Sequence, residues 1–139
     1  MITYFDTSIL MKLVIDDEAF RPASERLWLD SDYVVCAEIG YVEARAALAA
    51  ARRHERLDAA ALRTAKDELE LLWEQVSIVL VDSALVRAAG DVAERDRLRG
   101  YDAVHLAAAI AGQATVLASA DRQLVKAARR RGLGVAEPP

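Results

Sequence analysis

Four acidic residues in this chain have neighbours that suit chemistry better than solubility. Asp6 ends the apolar run ITYF and is followed at once by the hydroxyls of Thr7 and Ser8. Glu43 lies inside YVEARAAL, where its helical neighbours Ile39, Gly40, Ala46 and Ala47 are small or apolar. Asp102 opens DAVHLAAAIAG, and Asp121 follows TVLAS. Two carboxylates about 5 Å apart repel by roughly 3 kcal/mol at an effective dielectric near 20. Four in one pocket therefore call for protons or a cation. Hard cations such as Mg²⁺ or Mn²⁺ take oxygen ligands and keep several waters. Such an ion activates water and offsets the charge on a phosphodiester under attack. The hydroxyls of Thr7, Ser8 and Ser119 are suited to hold those carboxylates and their waters.

Each residue also has an ordinary reading. Asp6 and Asp102 are good helix N-caps, since their oxygens accept orphan backbone N–H bonds. Glu43 could reach solvent from the edge of its stripe. Glu38, its neighbour in the same helix, is explained by the helix dipole. His105, one turn after Asp102, reads as a hydrogen-bonded core histidine more readily than as a ligand or base. Cys36, the only cysteine, follows YVV and reads as a buried thiol with no internal disulfide partner.

Positioning acids from such distant parts of the chain is a task for the fold. The runs ITYF, YVVC, SIVLV and TVLAS are short and β-branched, and read as strands buried on both faces. LGV near Leu133 reads as a fifth strand at the edge. Helices are expected over residues 8–15, 22–29, 37–53, 58–76, 83–98, 102–113 and 121–131. In the fourth, Leu62, Ala65, Leu69, Leu72 and Val76 recur at helical spacing. Strands alternating with helices imply an α/β fold, a three-layer α/β/α sandwich around a mostly parallel sheet of four or five strands. Ligands in such sheets bind beyond the carboxyl ends of the strands, where Asp6 and Asp121 fall.

At 139 residues, 54% apolar and 29% charged, the chain suits one globular domain over residues 1–139. The first residues show no basic region followed by an apolar stretch, so no signal peptide is expected. The least polar window, residues 103–120, is too polar for a membrane span and suits a buried helix and strand. With one cysteine, the expected location is the reducing cytoplasm. The net charge of −4 is unevenly spread. Residues 122–131 carry five cations and no acid, while acids gather at Asp16, Asp17 and Glu18 and again at Asp67, Glu68, Glu70 and Glu74. The basic runs read either as solvated helix faces or as a track for a polyanion.

The blocks YFDTSIL, YVEARAAL, YDAVHLAAAIA and LASADRQLVKAA, in that order, resemble the four acidic blocks of PIN-domain proteins. In length and in its DTSIL and DAVHLAAA segments the chain is most similar to VapC-type toxins of bacterial toxin–antitoxin pairs. The resemblance spans Ile2 to about Val135. It implies a Mg²⁺- or Mn²⁺-dependent endoribonuclease leaving 5′-phosphate and 3′-hydroxyl ends. By position, Asp6, Glu43, Asp102 and Asp121 match the family's acidic quartet, with Asp6, Glu43 and Asp102 as metal ligands and Asp121 supporting. Ser119 matches the family's small hydroxyl residue, although SAD stands where many members have TYD or TFD. Arg122, Lys126, Arg129 and Arg130 would guide the RNA backbone. The resemblance further implies a homodimer and a cognate VapB-type antitoxin; no membrane partner is expected. The competing readings are a catalytically silent PIN-like RNA-binding or scaffold module, a nuclease for structured DNA, and a phosphatase or phosphorylation receiver. Ser8 stands where a haloacid-dehalogenase phosphatase needs a second aspartate, and the receiver's companion residues are absent.

Overall fold

The computed structural model describes residues 1–15 and 20–138. The acidic group Asp16–Glu18 lies outside the described residues. The strands are β1 (Ile2–Phe5), β2 (Tyr33–Ala37), β3 (Ser77–Val79), β4 (Val116–Ala118) and β5 (Gly134–Ala136). The helices are α1 (Thr7–Val14), α2 (Arg21–Asp30), α3 (Ile39–Arg53), α4 (Ala59–Trp73), α5 (Ser83–Asp96), α6 (Gly100–Ala111) and α7 (Arg122–Arg130). All strands are parallel, in the order β3-β2-β1-β4-β5.

Side chains alternate across this sheet, as a strand repeat of two requires. Tyr4, Val35, Ala37 and Leu117 point to one side and pack with Leu85, Val92, Leu106 and Leu124 from α5, α6 and α7. Phe5, Val34, Cys36 and Ala118 point to the other and pack with Leu10, Leu48 and Leu69 from α1, α3 and α4. Both faces of the central strands are thus covered, which gives the expected three layers. Burial pushes the Cys36 thiol well above its ordinary range, so it sits there as a small apolar group.

Strand β3 departs from expectation. Only Ser77–Val79 of SIVLV pairs, and with β2 alone. Ile78 and Leu80 are exposed, because an edge strand has one neighbour and little helix cover. Two helix starts also shift. Ala37 completes β2, so α3 begins at Ile39. The helix expected from Asp102 starts earlier, at Gly100, with Arg99 as a cap that makes no side-chain bond. Asp102 is therefore in the first turn and is not the N-cap.

Helix α6 runs close over the sheet and ends at Gly112. A methyl there would stand 2.7 Å from Val35 Cγ1 and 3.2 Å from the Ala108 carbonyl oxygen. Only glycine allows that approach. On the opposite layer the expected apolar stripe of α4 faces inward, with Ala65 and Leu69 buried and Leu62 and Leu72 packed beside them; Val76, expected in the same helix, lies beyond its end at Trp73 but packs there too.

Candidate active site

Strands β1 and β4 are neighbours, yet the chain leaves them toward opposite layers, into α1 and α7. A crevice forms where adjacent parallel strands diverge in this way. Asp6 and Ser119 each follow directly on one of these strands.

Asp6 is buried, and its carboxylate accepts three hydrogen bonds. Its Oδ1 accepts the Thr7 N–H at 2.9 Å, as an N-cap does. Its Oδ2 accepts the Ser8 hydroxyl at 2.9 Å and the Ser119 hydroxyl at 2.7 Å. Ser119 Oγ in turn accepts the Asp121 N–H at 2.9 Å, and Ser8 Oγ accepts the Ala120 N–H at 3.0 Å. The N-cap reading of Asp6 holds, and its carboxylate has further partners besides. Its carboxylate starts α1 and is pinned in orientation by the hydroxyls of Ser8, on α1, and Ser119, just past β4.

Glu43 is half-buried on α3 and does not simply reach for solvent. Its Oε1 accepts the Thr7 hydroxyl at 2.9 Å and lies 2.6 Å from His105 Nε2. Burial pushes its carboxyl up, but the hydrogen bond and charge of His105, aided by Thr7, outweigh that and hold it below its usual range.

His105 is 2% exposed and lies beneath the acids. Its Nδ1 is 2.5 Å from Tyr4 Oη, which also accepts the Ala37 N–H at 3.1 Å. With the ring neutral, the tyrosine proton goes to Nδ1 and the Nε2 proton to Glu43; with the ring protonated, Nδ1 donates to Tyr4 Oη instead. Nε2 is also 3.6 Å from Asp6 Oδ1. Burial alone would lower the imidazole's affinity for a proton. The Glu43 bond, then the charges of Asp6, Glu43 and Asp102, reverse this and leave it raised. His105 is the bonded core histidine expected, and it also supports the site. Tyr4 was legible only as a strand residue, since its hydroxyl acquires a task once β1 packs against α6.

Asp102 projects from the first turn of α6, with the Arg99 guanidinium 3.7 Å away. Its carboxyl is raised, first by burial and then by the charge of Asp121, with Asp6 adding to it against Arg99 and His105. Asp121 caps α7 by accepting the Gln123 and Leu124 N–H groups at 2.9 and 3.3 Å. The quartet thus shares one electrostatic neighbourhood. Among the described residues, no three acidic, histidine or cysteine side chains form a ready cage. The donor set still fits a hard cation, because Mg²⁺ takes one or two carboxylates directly and keeps waters elsewhere. Carboxylates that raise one another's proton affinity are short of positive charge.

The basic run divides in two. Arg122, which follows Asp121, and Lys126 are exposed and line a 500 Å³ cleft with Arg129 and Glu137. Arg129 pairs with Glu137 at 3.1 Å. Arg130 and Arg131 turn to the buried carboxylate of Asp96, at 3.7 and 2.7 Å, and so join α7 to the end of α5. No helix among the described residues is long and apolar enough to cross a membrane.

Residues 3–130 match the PIN domain family. The chain is 36% identical over 137 residues to ribonuclease VapC45 of Mycobacterium tuberculosis, spanning 97% of this chain and 94% of that protein. Two solved structures share the fold. One is M. tuberculosis VapC20, described as a Sarcin-Ricin loop cleaving toxin, with TM-score 0.70, 19% identity, and 98% and 99% of the two chains covered. The other is a toxin–antitoxin complex from Klebsiella pneumoniae, with TM-score 0.68, 18% identity, and 99% and 98% covered.

Proposed function

This chain belongs to the PIN-domain family, and from that premise we propose that it is a VapC-type endoribonuclease toxin restrained by a VapB-type antitoxin. The observation that carries the reading is the convergence of Asp6, Glu43, Asp102 and Asp121 where β1 and β4 diverge. The ribonuclease name of the 36% identical relative supports the activity, and the toxin–antitoxin complex among the related folds supports the partner.

In this reading Asp6, Glu43 and Asp102 hold Mg²⁺ or Mn²⁺, with Asp121 supporting. The ion supplies Lewis-acid stabilisation of the phosphodiester and lowers the pKa of the attacking water. The chain's own residues do the positioning. Ser8 and Ser119 fix the Asp6 carboxylate, and Thr7 and His105 fix that of Glu43. Arg122 and Lys126 lead the RNA backbone toward Asp121, as exposed cations attract phosphates. Arg129 and Arg130 contribute less, because each already has an acidic partner. The active form is a homodimer, and the whole of residues 1–139 forms the PIN domain.

The test is cleavage of total cellular RNA by antitoxin-free protein, with Mg²⁺ or Mn²⁺, against EDTA and an Asp102→Asn variant. Metal-dependent cutting that Asp102→Asn loses is the expected result. Metal-independent RNA binding without cutting would replace this reading with the silent binding module.

A further inference from the structure

Beside Asp102 lies a cleft of 630 Å³ between α5 and the start of α6. That volume falls within the roughly 300–1,000 Å³ of small-ligand sites. Its walls are mostly apolar, from Val86, Ala89 and Ala93 of α5, and Asp102 itself lines it. At its mouth Tyr101 is 73% exposed. The Arg99 guanidinium is 89% exposed, with Asp102 at 3.7 Å.

Gly90, exposed midway along α5, is one of the cleft's lining residues. A glycine there costs the helix about 1 kcal/mol relative to alanine. Nothing in the fold requires it, since a methyl at Gly90 would meet no atom within 4 Å. A side chain there would project into the space that Gly90 lines.

We propose that this cleft seats an unpaired RNA base next to the scissile phosphate, with Tyr101 as the stacking surface. This rests on the ribonuclease reading and adds a base-selecting subsite to it. An exposed aromatic ring suits the face of a splayed base, which is how proteins read single-stranded RNA. Arg99 suits the phosphate attached to that base. The apolar lining suits the base's body, and Asp102, which lines the same cleft, places the base beside the cut.

The experiment compares wild type with Tyr101→Ala, Tyr101→Phe and Gly90→Leu. Binding of a fluorescein-labelled, random-sequence eight-nucleotide RNA is followed by anisotropy in EDTA. Cleavage of the same pool is sequenced with Mg²⁺, and mass is checked by sedimentation. Base–aromatic stacking corresponds to about a 5–150-fold effect per base. Tyr101→Ala should weaken binding about 10-fold or more and blur the base preference at one position flanking the cut. Tyr101→Phe should recover most of both. Gly90→Leu should match or exceed wild type in thermal midpoint yet bind as poorly as Tyr101→Ala. Unchanged binding and base preference in Tyr101→Ala and Gly90→Leu would overturn the subsite and leave the nuclease reading standing. Wild-type protein that binds RNA but never cuts it would sink the nuclease reading, while the anisotropy series still decides the subsite. A change of mass in Gly90→Leu would overturn the subsite by making this face a contact between copies of the chain.

Discussion

His105 Nε2 lies 2.6 Å from Glu43 Oε1, so a buried imidazole on α6 sets the direction of a carboxylate on α3. Its other nitrogen is held by Tyr4, whose hydroxyl also satisfies the Ala37 N–H. Removing the Tyr4 hydroxyl leaves a buried N–H and a ring nitrogen without partners. An orphaned buried polar group costs about 1–3 kcal/mol. Tyr4→Phe should therefore lower the urea midpoint by a clear margin and reduce cleavage. A midpoint equal to wild type would show that the network carries no stability.

The proton on His105 links this network to pH. Its folded pKa is raised, so the imidazolium contributes stability that is fully present below the unfolded value of about 6.5 and lost as pH rises through the folded value. In EDTA, ring resonances should titrate above that unfolded value. The chain has two histidines, so the spectrum is simple to assign. Bound Mg²⁺ should pull the His105 titration down, because the cation takes over the countercharge. A titration indifferent to Mg²⁺ would argue that no cation binds near Glu43.

Asp102 should show function and stability pulling in opposite directions. Burial and the charges of Asp121 and Asp6 raise its carboxyl in the fold, so its ionised form is disfavoured there above the unfolded pKa. Asp102→Asn should abolish cleavage while the thermal midpoint of the metal-free protein holds or rises slightly. Wild type should gain stability from Mg²⁺ by linkage, and the variant should gain less. Equal Mg²⁺ effects on both proteins would place the ion elsewhere.

Gly112→Ala should destabilise the protein although alanine is the better helix former. The added methyl would meet Val35 Cγ1 at 2.7 Å. Overpacking of this kind costs about 1–3 kcal/mol. A chemical denaturation curve for Gly112→Ala beside one for Val35→Ala/Gly112→Ala checks the cause, since shortening Val35 should recover part of the loss.

Salt dependence should separate the cations of α7. Each single-strand phosphate contact adds about 0.7 to the slope of log affinity against log salt. Arg122→Gln/Lys126→Gln should flatten that slope by about 1.4. Arg130→Gln should leave it nearly unchanged and lower stability instead, because its partner is Asp96.

Much of this protein is written in local sequence. Short β-branched runs spaced by helical stretches determined a parallel α/β sheet, since both periodicities are properties of a few adjacent residues. Glu43 on a small-residue face, and Asp6 and Asp121 at strand ends, were visible for the same reason. The length of β3 was not. Ile78 and Leu80 look like core residues, and only the strand order puts them at an edge with one neighbour.

The start of α6 was also misplaced, because Asp102 is a good cap by type while the chain turns helical earlier. The division of α7's arginines depended on where the end of α5 lies, and Tyr4's hydroxyl on which helix crosses β1. Sequence by itself determined which residue types were available and which strand ends they would follow. Tertiary structure decided which of them touch, because contacts between α3, α6 and the two strand ends join residues that lie as many as 113 positions apart. No local propensity encodes a distance of that kind.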